Sequence, residues 1–193
     1  HAMGFTDIHP NWVVVMEINT NLNSGPKYHL GEDWNGVCGG DSDKGANLIA
    51  IADATVQDAS MDGDSGGWLL LRLLLPDATS RYVLYEHILD IAVNPRTGQP
   101  FKTTDAVYKG ELVAHIGDGN GAWPYHLHFE MRRYNSFLLR QTPYYNPLEV
   151  RIAMKYTSPS LFIDDRRYPF TQSLANSAYT YIAWNTNAPS STA

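Results

Sequence analysis

The clearest pattern in the chain is the strict alternation of Pro124-Tyr125-His126-Leu127-His128-Phe129-Glu130-Met131. A period of two marks a half-buried strand, with Leu127, Phe129 and Met131 on a core face and His126, His128 and Glu130 on the other. The two imidazoles then stand side by side, their α-carbons about 6.6 Å apart. At that spacing one ring can hold a metal ion while the other reaches a water or substrate on it. Glu130 shares their face and reads as a solvated carboxylate.

Further strands follow from apolar and β-branched runs at residues 12–18, 48–52, 55–59 and 111–116. Residues 68–75 and 81–89 flank the turn-prone stretch 76–80, which predicts an antiparallel hairpin. In its second arm Val83, Tyr85 and His87 share one face, opposite Leu84, Glu86 and Ile88; taken alone, His87 reads as a structural histidine near a strand end. Gly117 to Gly121 form a tight connection into the histidine strand, and His115 has no evident partner.

Upstream, glycines and asparagines in and after His29-Leu30-Gly31-Glu32-Asp33 argue against a helix. They place His29 and Asp33 on a strand end and the loop after it. Imidazole nitrogen and carboxylate oxygen both ligate zinc at about 2.0–2.2 Å. Two histidines with one carboxylate leave a fourth tetrahedral position open for water, which separates a catalytic zinc site from a structural one. Geometry leaves open which member of His126-x-His128 joins that set. Towards the C-terminus, Asn146-Pro147-Leu148-Glu149 carries helix-start chemistry and predicts a short helix to about residue 156. Residues 157–184 have no clean period, and 185–193 read as a loose tail.

The totals restrict the function. The 193 residues suit one domain, possessing 44% hydrophobic and 18% charged residues, as in an ordinary soluble globular protein. A net charge of −6 and a pI near 5.5 supply no basic surface for nucleic acid or anionic membranes. The longest apolar run, 68–75 interrupted by Arg72, is far short of the ~20 residues a membrane span needs. Cys38 is the single cysteine, so no internal disulfide forms, and it reads as a lone loop thiol. His1-Ala2-Met3-Gly4 resembles a cloning remnant, leaving 5–150 as the expected domain and 151–193 as an extension packed on it or following it.

In order and rough spacing, His29-Leu30-Gly31-Glu32-Asp33, Tyr85-Glu86-His87 and His126-Leu127-His128-Phe129-Glu130 resemble the motifs of the lysostaphin/LytM-like zinc endopeptidases. Residues 48–56, Lys109-Gly110-Glu111 and Ile116-Gly117 resemble that family's intervening stretches, so the likeness runs from about residue 12 to 135. The resemblance implies a mainly β fold, an antiparallel β-sheet groove, binding one zinc ion. It implies His29, Asp33 and His128 as metal ligands, with His87 and His126 as the unligated catalytic pair. One of that pair would take a proton from water while the other stabilises the oxyanion. The implied substrate is a peptidoglycan stem peptide or cross-bridge, met as a monomer in an extracytoplasmic compartment. Two other readings use the same residues: a non-catalytic cell-wall or divisome binding module of this fold, and a zinc carboxypeptidase trimming D-amino acid ends. The chain departs from the family pattern at Ala54, at Trp34-Asn35-Gly36 and at Trp123-Pro124-Tyr125, and the last two lie beside the expected groove.

Overall fold

The computed structural model describes residues 12–16, 29–75, 78–133, 156–160 and 162–163. The turn at 19–26, the 185–193 tail and all of the helix expected from Asn146 except its end lie outside them; at that end Tyr156 is extended, not helical. Among the described residues the strands in chain order are β1 (Trp12–Met16), β2 (Glu32–Gly36), β3 (Asn47–Ile49), β4 (Ala54–Ser60), β5 (Gly67–Leu74), β6 (Ser80–Ile91), β7 (Val93–Asn94), β8 (Gln99–Pro100), β9 (Ala106–Val107), β10 (Leu112–Ile116), β11 (Leu127–Arg132) and β12 (Tyr156–Thr157). The main sheet runs β1-β2-β11-β6-β5-β4-β9, with β10 joined to β3 and β6 and β12 joined to β11. Its described pairings are antiparallel.

Leu69, Leu71 and Leu73 of β5 and Val83, Tyr85 and Ile88 of β6 join Leu127, Phe129 and Met131 of β11 in one core. Burying such side chains is worth about 1.5–3 kcal/mol each relative to exposure, and it fixes the register, since a one-residue slip would turn them outward. The core face of β11 is therefore as the alternation predicts. The half-buried expectation is not met: His128, Glu130 and Arg132 on the opposite face are buried as well. With β2 on one edge and β6 on the other, β11 lies inside the sheet, and its alternation separates two buried faces of different chemistry.

Strand β2 also differs from expectation. His29 lies before the strand and Asp33 within it, the reverse of the predicted order. Asp, Asn and Gly are poor strand formers. Here pairing with β1 on one side and β11 on the other overrides that preference. Entry into the strand requires Gly31, because a Cβ there would sit 2.4 Å from the Phe129 carbonyl oxygen.

The 12-residue β6 changes partner midway. Along one edge it pairs with β11 up to Glu86 and with β10 from Ile88, while β5 holds the other edge. At the changeover His87 is passed over in the β5 register, Trp68 facing Glu86 and Gly67 facing Ile88. Its φ of 63° is left-handed. Such a bulge shifts the side-chain parity. Val83 and Tyr85 face the core before it and Ile88 faces the core after it, so His87 and Ile88 do not take the faces that simple alternation gives them.

The C-terminal segment closes the edge of β11 that β2 leaves free. Tyr156 and Thr157 pair with Arg132 and Met131, so β12 and β2 lie end to end along one edge. Glu32 binds them together: its carboxylate accepts from the Ser160 N–H at 3.0 Å, the Ser160 hydroxyl at 2.8 Å, the Ser158 hydroxyl and the Trp34 indole at 3.1 Å. Beyond it a helical turn, closed by the Phe162 N–H on the Ser158 carbonyl at 3.0 Å, carries Phe162 and Ile163 into the core.

Candidate metal centre

The three adjacent strands β2, β11 and β6 carry or flank the candidate residues. Asp33 and His128 are cross-strand partners in the β2–β11 register, and His29 arrives from the coil ahead of β2. Three donor atoms meet there. His29 Nε2 lies 2.9 Å from His128 Nδ1 and 3.1 Å from Asp33 Oδ1, and His128 Nδ1 lies 3.0 Å from Asp33 Oδ1. Protons cannot satisfy all three edges of such a triangle at once; a cation above it can. In a tetrahedral zinc site with bonds of about 2.0–2.1 Å, ligand atoms stand about 3.3–3.4 Å apart, so the triangle need open by only a few tenths of an ångström. These residues therefore form a group that could hold a metal ion. Their chemistry, two imidazoles and one carboxylate, suits zinc.

The electrostatics agree with that role. Burial would raise the Asp33 pKa, but hydrogen bonds with His128 and then His29 outweigh it and hold the carboxyl well below its usual range. Burial would likewise lower His128, but its bonds to Asp33 and Glu130 carry it well above the ordinary histidine value. A cation takes the place of that proton when the ligands bind it.

His126 and His87 complete the cluster without joining the triangle. His126 Nδ1–H donates to the Pro124 carbonyl at 2.8 Å, which turns Nε2 inward to 3.7 Å from Asp33 Oδ1. His87 Nδ1–H donates to the Ser65 carbonyl at 2.7 Å, leaving its Nε2 as the free acceptor. Burial, together with the nearby His128 and His126 charges, lowers the His87 pKa to about 3, so the ring is neutral. The two rings lie 4.8 Å apart, and His87 is 5.7 Å from His128.

Residues 117–126 fit closely around His87. A Cβ on Gly117 would lie 2.4 Å from the His87 carbonyl oxygen. Trp123 packs its indole 4.6 Å from the His87 ring while remaining partly exposed. The Asn120 amide donates to the Gly63 carbonyl at 3.0 Å, and the Lys44 ammonium lies 5.1 Å from the Tyr125 ring, so this loop touches both neighbouring loops.

Other candidates fall elsewhere. Cys38 is exposed and free in the turn after β2. His115 does have a partner, Asp90 across the strand pair at 2.7 Å, on the surface. Glu130 is not the solvated carboxylate expected: it is 3% exposed and bonded to His128 Nε2 at 3.1 Å. Its place on the histidine face was the available signal; the burial of that face was invisible in an alternation pattern. Glu86, His128 and Glu130 form a second group of possible ligands, built around the same imidazole. No helix among the described residues is long and apolar enough to cross a membrane.

No family model matches the chain, and no curated protein matches it. Solved structures do. The antimicrobial peptidase lysostaphin from Staphylococcus simulans aligns with a TM-score of 0.56 and 17% identity, over 94% of this chain and 59% of that one. Its NMR solution structure gives 0.56 and 18%, over 89% and 56% respectively. The catalytic domain of the prophage-encoded M23 protein EnpA from Enterococcus faecalis aligns at 0.49 and 18%, over 67% and 86%. The chain thus spans under two thirds of lysostaphin and shares its mainly antiparallel β fold.

Proposed function

We propose that this chain is a zinc-dependent endopeptidase acting on peptide bonds of peptidoglycan stem peptides or cross-bridges, in an extracytoplasmic compartment. One observation carries the reading: His29 Nε2, Asp33 Oδ1 and His128 Nδ1 converge within 3.1 Å of one another beside two further imidazoles that hold their protons on Nδ1. His29, Asp33 and His128 would hold the ion. Zinc bound there supplies Lewis-acid polarisation of the scissile carbonyl and makes water a nucleophile near neutral pH.

The chain's own groups carry the proton. Either His126 or His87 accepts it at Nε2 from the attacking water, becomes a donor, and passes it to the amine that leaves as the C–N bond breaks. The second imidazole lines the position where the oxyanion forms. The carbonyls of Pro124 and Ser65 keep each ring's proton on Nδ1, which leaves Nε2 open to accept as the base must; the ring beside the oxyanion donates to it only as the imidazolium, with a second proton on Nε2. The peptidoglycan assignment is supported by the shared fold with lysostaphin, itself a peptidase.

The test combines metal analysis with digestion of purified peptidoglycans of different cross-link chemistry, read by mass spectrometry. One zinc per chain and new termini inside cross-linked peptides are expected. A chain that neither contains nor acquires zinc is a binding module; release of terminal D-amino acids alone makes it a carboxypeptidase.

A further inference from the structure

We infer that Glu130 is a positioning residue for the metal centre, acting through the far nitrogen of His128; the inference rests on the zinc reading above. An imidazole that offers a lone pair from Nδ1 must carry its proton on Nε2. In His128 that nitrogen is buried, the residue being 4% exposed, so the N–H needs an acceptor from the protein. Glu130 Oε1 supplies one at 3.1 Å.

The acceptor is itself held in place. Residues 128, 130 and 132 of β11 alternate onto one face, so the three side chains form a row. The Arg132 guanidinium, also buried, lies 3.6 Å from the other Glu130 oxygen. Glu86, opposite His128 on β6, adds a second carboxylate nearby. The row thus runs from metal ligand to carboxylate to guanidinium along a single strand. A ligand histidine whose second nitrogen donates to a carboxylate is fixed in tautomer and ring angle, and loss of that partner typically weakens metal binding about 10–100-fold. The alternative is that Glu130 serves only as the counter-ion of Arg132, in which case the metal would not sense its removal.

The experiment measures zinc dissociation constants by chelator competition for the wild type, Glu130→Met and Glu130→Gln, each checked for folding by circular dichroism and metal-free melting. Met removes the acceptor at similar length, and Gln keeps one at the same reach. Binding about 10–100-fold weaker in Met and within about fivefold of wild type in Gln is the expected result. A folded Met variant that binds zinc as the wild type does overturns the inference, as does a Gln variant as weak as Met. Should the Met variant not fold, a long-range nitrogen–proton NMR spectrum of the zinc-loaded wild type decides. A His128 Nε2 proton that lies far downfield and is protected from solvent exchange, as in a hydrogen bond to a carboxylate, supports the inference; an Nε2 proton that behaves as a free N–H, or a proton on Nδ1, overturns it. A wild type that takes up no zinc defeats the functional reading, and this inference with it.

Discussion

At the scale of single residues the five histidine and aspartate side chains divide by what they hold. Replacing His128 with Ala removes a corner of the triangle, and the expected outcome is loss of zinc and activity together, measured by metal content and turnover. His126→Ala leaves the triangle intact, so zinc content should be unchanged while turnover falls about 10²–10⁴-fold. His87 makes a separate prediction, because its φ of 63° is strained for any residue with a Cβ. His87→Gly should be more stable than His87→Ala by about 1 kcal/mol in denaturant unfolding, with both inactive. The tyrosine-glutamate-histidine motif pointed to this residue through resemblance alone. Its segment read as an even strand, since a bulge arises from the meeting of three partner strands that no local pattern reports.

At the scale of elements, β2 is the strand least suited to its own residues and the most dependent on its neighbours. Glu32 binds its start to the segment around Ser158 and Ser160, through hydrogen bonds to a charged group that contribute about 1.5–3 kcal/mol each. Removing both hydroxyls in Ser158→Ala/Ser160→Ala, with the Ser160 N–H bond kept, should lower unfolding stability by about 3–6 kcal/mol, read from the denaturation midpoint. Gly31→Ala would drive a methyl group into the Phe129 carbonyl and is expected to separate β2 from β11, losing Asp33 from the site even if β5 and β6 remain paired. The β5–β6 hairpin was legible in the sequence because its apolar runs and turn lie together. The order of His29 and Asp33 was not, because distant pairing and not local propensity makes residues 32–36 a strand.

At the scale of the molecule the ion would join residues far apart in the chain. His29 and His128 are separated by 99 positions, and Asp33 and His128 by 95. Zinc bound only by the folded form adds about 2.7 kcal/mol at a hundredfold excess over its dissociation constant. A chelator should therefore lower the melting temperature by about 5–10 °C, and added zinc should restore it. The alternation at residues 124–131 marked His126 and His128, and the resemblance supplied His29, Asp33 and His87, which the structure brings beside them. Neither revealed that residues 156–157 complete the sheet edge and that Phe162 and Ile163 join the core, since that stretch has no period of its own. The separation of the ligands also sets an order of events during biosynthesis. No fragment ending before His128 contains all three side chains of the triangle, so a zinc site would form only once the β2–β11 pairing, which joins Asp33 to His128 across 95 positions, is in place. Hydrolytic competence would then appear only after the sheet has zipped shut, and cofactor uptake could serve as a clock for the last step of folding.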